Sequence, residues 1–150
     1  MPQSLVKNYI HITFSTKYRE DTLLKKDLPE IFSYMAGILK NLNCTPIIVG
    51  GVTNHIHVLC LLDKTTSVSE LLDKLKANSS KWMKSLGKEY INFAWLRGYG
   101  SFSMSQSKVE VVRNYIANQE RHHNKGTFKE EFIDLLEKHE LKYDEQYLWD

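Results

Sequence analysis

The 150-residue chain is poor in cysteine and has no long hydrophobic run. Its two cysteines, Cys44 and Cys60, are too few for a disulfide scaffold and form no CxxC pair, so we expect a reducing, cytoplasmic setting. No apolar run approaches the roughly 20 residues that cross a bilayer. The N-terminal sequence MPQSLVKNYIHITF lacks the regions of a signal peptide. These absences predict a protein that is not associated with membranes.

The sequence also lacks internal repeats, flexible linkers and a strong net charge. Lysine and arginine number 20 against 18 acidic residues, a net charge of +2 that does not indicate nucleic-acid binding by itself. The distribution is more informative, because residues 74–88 contain five lysines and no acid, whereas the segment after Lys129 is rich in acids. We therefore predict one domain with a basic surface and an acidic far end.

Hydrophobic periodicity predicts the order β-α-β-β-α-β followed by helices. Capping boxes at Ser67/Glu70, Ser107/Glu110 and Thr127/Glu130 mark three helix starts, the second opening a helix through about Arg121, and Gly50-Gly51 is expected to form a turn. The expected fold is α+β, a ferredoxin-like (RRM-like) split βαβ antiparallel sheet with helices on one face. The single domain, residues 1–150, divides into a core at 1–105, an added helix at 106–123, and a C-terminal helix and tail at 127–150. The predicted strands cover residues 9–15, 46–49 and 55–62, with a fourth, glycine-interrupted strand in 93–105.

The sharpest motif is His55-Ile56-His57 within the third predicted strand. Side chains alternate along a strand, so both imidazoles point to one face, about 6.6–7 Å apart, and can bind one divalent cation. The alternative is that the histidines only line a polar face of the sheet. His11 alternates outward on the first strand, toward DNA or water.

Tyr115 and Gln119 form the second feature, four residues apart and therefore on one helix face. A neutral phenol is a poor nucleophile and needs a metal to polarise its target. An amide oxygen beside two imidazoles leaves coordination positions open, as suits catalytic Mg²⁺ or Mn²⁺. The alternative is a tyrosine in the hydrophobic core and a solvated glutamine.

Several of these segments together resemble the single-tyrosine HUH transposases of the insertion-sequence 200/605 type, which move single-stranded DNA. The resemblance covers most of the chain. It is carried by FSTKYR (14–19), the histidine strand (55–57), GYGSFSMSQS (98–107), YIANQ (115–119) and YLW (147–149).

The resemblance implies that His55 and His57 bind the metal, with Gln119 as third ligand, and that Tyr115 attacks a DNA phosphate. The product would be a 5′-phosphotyrosine and a free 3′-OH, which can later reseal the strand without ATP. The implied partners are single-stranded DNA hairpins at the ends of a mobile element and a second copy of the chain. The cis or trans assembly of the homodimer's active sites stays open, and the implied location is the prokaryotic cytoplasm, at the nucleoid.

Basic and aromatic side chains are candidates for DNA contacts, since cations track phosphates and aromatic rings stack on unpaired bases. The alternative for each is a solvated surface charge or a packing contact. The candidates are Lys17, Arg19, Lys74, Lys76, Lys81, Lys84, Arg97, Tyr99 and Arg113.

Two other functions fit parts of this pattern. A catalytically silent or domesticated protein of the same fold would bind single-stranded nucleic-acid hairpins without cutting them. A zinc hydrolase would use His55 and His57, but the sequence shows neither a third strong ligand nor an HExxH motif. We therefore expect a metal-dependent DNA strand transferase.

Overall fold

Four antiparallel strands form one sheet in the order β2-β3-β1-β4. The computed structural model describes residues 2–123 and 126–149, so Asp150, the last residue of the predicted C-terminal segment, lies outside the described residues. The strands are β1 (Asn8–Ser15), β2 (Thr45–Val52), β3 (His55–Leu62) and β4 (Gly100–Met104). The helices are α1 (Leu28–Asn41), α2 (Val68–Met83), α3 (Val109–Ala117), α4 (Gln119–His123), α5 (Phe128–Lys138) and α6 (Glu145–Leu148).

Alternation along β1 and β3 divides their side chains between the two faces of the sheet. Ile12 and Phe14 of β1, with Ile56 and Val58 of β3, are buried against the apolar faces of α1 and α2. The side chains between them point to the opposite face, where α3 and α4 pack on β2, and α5 packs on Phe102 of β4. The predicted ferredoxin-like sheet is confirmed, and the C-terminal helices cover its second face.

The glycine pair Gly50-Gly51 lies inside β2, not in a turn, so the turn predicted there is wrong. The chain turns at Thr53 and Asn54 instead. A Cβ atom on Gly50 would lie 2.9 Å from Cγ2 of Ile116, so glycine is needed there to let α3 approach the sheet. Gly51 adopts a φ of +151°, and a Cβ atom there would collide with the carbonyl oxygen of His55.

The helix predicted from 107 to about 121 is divided at Asn118, whose φ of −103° and ψ of 24° end α3 before α4 begins. The predicted Ser107 cap is wrong, because Ser107 bonds to Ser105 through its hydroxyl and α3 starts at Val109 after a 3₁₀ turn. The strand predicted within residues 93–105 is shorter in the structure, where it comprises only β4. Before β4 the chain makes one isolated bridge, between Thr16 and Trp95.

The other two caps are confirmed. The hydroxyls of Ser67 and Thr127 accept hydrogen bonds from the backbone N–H of Glu70 and Glu130, at 3.1 and 3.2 Å. These bonds satisfy N–H groups that a helix leaves unpaired in its first turn. Within the described residues, no helix has the length and apolar character that a membrane span requires.

Candidate metal and tyrosine site

Three buried histidines meet on the sheet face that α3, α4 and α5 cover. His57 is opposite Thr13 in the β1–β3 pairing, and His11 lies two residues before Thr13, so the rings of His11 and His57 are diagonal neighbours. His55 and His57 are fully buried and His11 is 3% exposed. The expectation that His11 faces DNA or water is therefore wrong, because the C-terminal helices bury this face.

The orientation of the His55 ring is set by Asn54. Nδ1 of His55 lies 2.7 Å from Oδ1 of Asn54, while Nδ2 of the same amide donates to the carbonyl oxygen of Arg19 at 3.3 Å. Since Oδ1 can only accept, Nδ1 of His55 carries the proton and Nε2 carries the lone pair. That Nε2 atom lies 2.9 Å from Oε1 of Gln119.

A carboxylate from α5 completes the cluster. Oε1 of Glu131 lies 2.5 Å from Nε2 of His57 and 3.7 Å from Nε2 of His55. One ligand atom from each of these three residues lies within 4.8 Å of the others. Two imidazole nitrogens, a carboxylate oxygen and the nearby Gln119 oxygen thus converge on one point.

The donor set fits a divalent cation. Nε2 of His55 and Oε1 of Gln119 both carry lone pairs, and imidazole nitrogens and carbonyl oxygens are ligands of divalent cations. The amide nitrogen of Gln119 is buried and has no hydrogen-bond partner among residues 2–123 and 126–149. The amide therefore directs its oxygen toward His55 even though its N–H groups are left without an acceptor. His55, His57, Gln119 and Glu131 would hold the ion.

The electrostatics of His57 also suit metal binding. Complete burial lowers the pKa of His57 to about 3, even though the Glu131 carboxylate lies beside the ring. The ring is therefore neutral at pH 7, and the neutral imidazole is the form that binds metals.

Tyr115 lies in the same pocket as the histidines of its own chain. The centroid of its ring is 5.7 Å from that of His57 and 4.7 Å from that of His122. Burial raises the pKa of Tyr115 well above its ordinary value, the charge of Glu131 adds to the rise, and the nearby Gln119 side chain opposes it. The phenol is therefore neutral at pH 7 and needs help to lose its proton.

Two members of this cluster, Glu131 and His122, are not predicted by the sequence pattern. Glu131 lies in an acid-rich segment, and its single local signal is its position in the first turn of a capped helix. His122 packs on Tyr115 because the helical path resumes after Asn118, with a hydrogen bond from the His122 backbone N–H to the Asn118 carbonyl. The reason given against a zinc hydrolase, the lack of a third strong ligand, does not hold in the structure.

The predicted DNA-contact residues fall into separate regions. Lys17 and Arg19 follow β1 at the end of the sheet where His55 lies, and the Arg19 guanidinium rests 5.0 Å from the ring of Trp149. Arg113 is exposed on α3, two residues before Tyr115. Arg97 and Tyr99 are exposed in the segment before β4.

The lysines of α2 are not near the histidines, because α2 packs on the opposite face of the sheet. Lys74, Lys81 and Lys84 are exposed there, and Lys74 pairs with Glu70 at 3.6 Å. Lys76 differs, since its ammonium donates to the carbonyl oxygens of residues 96, 97 and 98 at 2.8 to 3.0 Å. Its three donors are thus used within the protein, and the phosphate contact of Lys76 stays a prediction.

The fold and the site together define a class: a small α+β domain in which a histidine pair on a central strand meets a tyrosine from a covering helix. Residues 4–119 match the family model of IS200-like transposases, and the chain belongs to this family. The matched region contains His55, His57, Tyr115 and Gln119 but ends before Glu131.

Solved structures share this fold. One is a crystal structure at 1.90 Å of a candidate transposase from Deinococcus radiodurans R1, 18% identical, with a TM-score of 0.62 over 79% of this chain and 98% of that one. Another is a REP-associated tyrosine transposase bound to a REP hairpin, 12% identical, with a TM-score of 0.57 over 83% of this chain and 72% of that one. No curated protein sequence matches the chain.

Proposed function

We propose that this transposase cleaves and rejoins single-stranded DNA at hairpin-flanked element ends, using Tyr115 as nucleophile and a divalent metal, Mg²⁺ or Mn²⁺. The observation that carries the proposal is the convergence, within one chain, of Tyr115 on the His57 ring and of four ligand groups on one point. Membership of the IS200-like family supports DNA as the substrate. The REP hairpin bound by the similar solved structure supports a hairpin as the recognised element.

In the proposed reaction, the Oη atom of Tyr115 attacks the scissile phosphorus and the P–O3′ bond breaks. The 5′-phosphate becomes bonded to the tyrosine, the phenol gives up its proton, and the leaving 3′ oxygen gains one. The bond exchange conserves a phosphodiester, so a 3′-OH can attack the phosphotyrosine and reseal the strand. When bound, the cation neutralises charge on the non-bridging phosphate oxygens.

The residues of this chain support the reaction in distinct ways. His55, His57 and Gln119 would hold the cation from the sheet and from α4, and Glu131 would hold it from α5. Glu131 also lies close enough to Tyr115 to act on its pKa, which makes it the candidate acceptor for the phenolic proton. α3 would carry the phenol to the cation site, which supports a reaction that uses the residues of one chain.

Assembly and location follow from the same proposal. The contact of Tyr115 with His57 of its own chain supports active sites assembled in cis, and a homodimer stays a prediction. Because the proposed substrate is single-stranded DNA at the ends of a mobile element, the proposed place of action is the cytoplasm, at the nucleoid. The predicted DNA contacts remain proposals, at Lys17, Arg19, Lys74, Lys76, Lys81, Lys84, Arg97, Tyr99 and Arg113.

The test uses oligonucleotides that carry a hairpin between randomised single-stranded flanks, labelled at one end, together with the purified protein and Mg²⁺. We expect an SDS-resistant adduct that carries the 3′ label, with release of the 5′-labelled fragment, and EDTA should abolish both. An adduct with the 5′ label would contradict the polarity. Cleavage without any adduct would indicate a hydrolase, and hairpin binding without cleavage would indicate a silent binding protein.

A further inference from the structure

The ring nitrogens of His55 and His57 that face away from the cation site have buried partners of their own. Nδ1 of His57 lies 2.8 Å from Nε2 of His11, and Nδ1 of His55 lies 2.7 Å from Oδ1 of Asn54. His11 and Asn54 are themselves buried, at 3% and 8% exposure. Each imidazole is therefore held, on the side opposite the cation site, by one group that does not itself reach that site.

We propose that His11 and Asn54 are positioning residues: when a cation is bound, each holds the Nδ1 proton of one imidazole, so that both Nε2 lone pairs face the ion. This inference rests on the proposed metal site. A histidine can bind a metal through Nε2 only when its proton is on Nδ1, so a partner that accepts from Nδ1 selects the binding tautomer.

His11 holds its place by packing as well as by its hydrogen bond. Its ring lies 6.0 Å from that of Phe102 and 6.3 Å from that of Tyr115, so it is enclosed between β4 and α3. Its Nε2 atom is the group that can accept the Nδ1 proton of His57. The placement also links a proposed metal ligand to the tyrosine, because the His11 ring contacts both His57 and Tyr115.

Asn54 is oriented by a second bond. Its Nδ2 donates to the carbonyl oxygen of Arg19, whose φ of 57° turns the segment after β1 toward the β2–β3 turn. This bond fixes which end of the amide faces His55, so that only the accepting oxygen can meet Nδ1. The backbone carbonyl of Arg19 thus orients His55 through Asn54. This effect does not depend on the Arg19 guanidinium.

The test measures Mn²⁺ affinity of the full chain without DNA, by isothermal titration calorimetry. His11→Leu and Asn54→Ala remove the acceptors, and we expect each to weaken Mn²⁺ binding by about 10–100-fold, the range for groups that support metal ligands. His11→Gln and Asn54→Asp keep an accepting oxygen and should restore most of the affinity. Far-ultraviolet circular dichroism of each variant verifies that it is folded.

Thr13→Val is the matched control, because Thr13 is equally buried on β1 but donates to the backbone carbonyl of Ile56 instead of a ring. It should bind Mn²⁺ as the unmodified protein does. Folded acceptor-free variants with unchanged affinity would overturn the inference, as would His11→Gln and Asn54→Asp binding as weakly as the acceptor-free variants. If the unmodified protein binds no Mn²⁺, the proposed metal site itself fails, which is a distinct result.

Discussion

The side-chain oxygen of Gln119 lies 2.9 Å from Nε2 of His55, across 64 residues of sequence. This contact joins the first residue of α4 to the first residue of β3. Because Gln119 begins α4 where α3 has just ended, the contact also fixes Tyr115, one turn earlier, over the histidine strand. A single polar pair therefore connects the proposed metal ligands to the proposed nucleophile.

Tyr115→Phe removes only the hydroxyl, so we expect it to abolish the covalent adduct while hairpin binding is kept. The ring still packs on His57 and His122, and the fold should be unaffected. Adduct formation is measured on denaturing gels, and binding to the same oligonucleotide by fluorescence anisotropy. Tyr143→Phe removes the same hydroxyl group from a tyrosine that lies after α5 and is the control. The Tyr143 hydroxyl donates a hydrogen bond of 3.4 Å to Oε1 of Glu137. An adduct that persists in Tyr115→Phe would mean that another residue is the nucleophile.

Glu131→Gln removes the carboxylate charge that lies 2.5 Å from His57 and adds to the raised pKa of Tyr115. We expect Mn²⁺ affinity to fall by roughly tenfold or more, since tenfold corresponds to about 1.4 kcal/mol of binding free energy. The pKa of Tyr115, measured by ultraviolet absorbance titration, should fall at the same time. Glu130→Gln makes the same charge change on the adjacent, exposed residue and should alter neither value. Unchanged Mn²⁺ affinity in Glu131→Gln would exclude Glu131 as a ligand.

Stability should fall as the pH drops below 6.5. Burial lowers the pKa of both His11 and His57 to about 3, so between pH 6.5 and 3 the unfolded chain binds two protons that the folded chain does not. The free energy of unfolding should therefore decrease with falling pH, by up to about 1.4 kcal/mol per pH unit for each histidine. Above pH 6.5 both rings are neutral in both states and contribute no slope. Urea unfolding from pH 7.5 to 4 measures this, and His11→Gln should remove part of the slope. If His11→Gln shows the same dependence of unfolding free energy on pH as the unmodified protein, the lowered pKa of His11 is contradicted.

Gly50→Ala should destabilise the fold by about 1–3 kcal/mol, the usual cost of overpacking. The added Cβ would lie 2.9 Å from Cγ2 and 3.0 Å from the carbonyl oxygen of Ile116, and the backbone atom cannot move aside without shifting α3. Because Tyr115 precedes Ile116, adduct yield should fall too. Gly37→Ala in α1 meets no atom within 4 Å and should stabilise by about 0.5–1 kcal/mol through helix propensity. Equal effects of the two substitutions in thermal unfolding would argue against the close approach of α3.

The parts of the site that sequence predicts are those that local periodicity determines. Alternation alone puts His55 and His57 on one face, and the spacing of four residues puts Tyr115 and Gln119 on one side of a helical path. The structure keeps both relationships, even though Asn118 interrupts the helix between the latter two.

Contacts between distant elements were not predictable in this way. The Thr127 cap predicts where α5 begins, but the position of Glu131 depends on how Phe128, Phe132 and Leu136 pack against Phe102. The role of Gly50 likewise depends on Ile116, 66 residues later, so the sequence pattern indicated a turn where the structure needs a close approach. The burial of His11 is a consequence of the same packing of C-terminal helices on the sheet.

Peptide mapping of the covalent adduct shows whether Tyr115 forms the bond to DNA. The protein is reacted with the hairpin oligonucleotides and Mg²⁺, then digested with nuclease and protease for tandem mass spectrometry. We expect one modified peptide, from α3, with a nucleotide joined through a 5′-phosphate to Tyr115. A nucleotide on any other residue, or a cleaved oligonucleotide with every peptide unmodified, would contradict it.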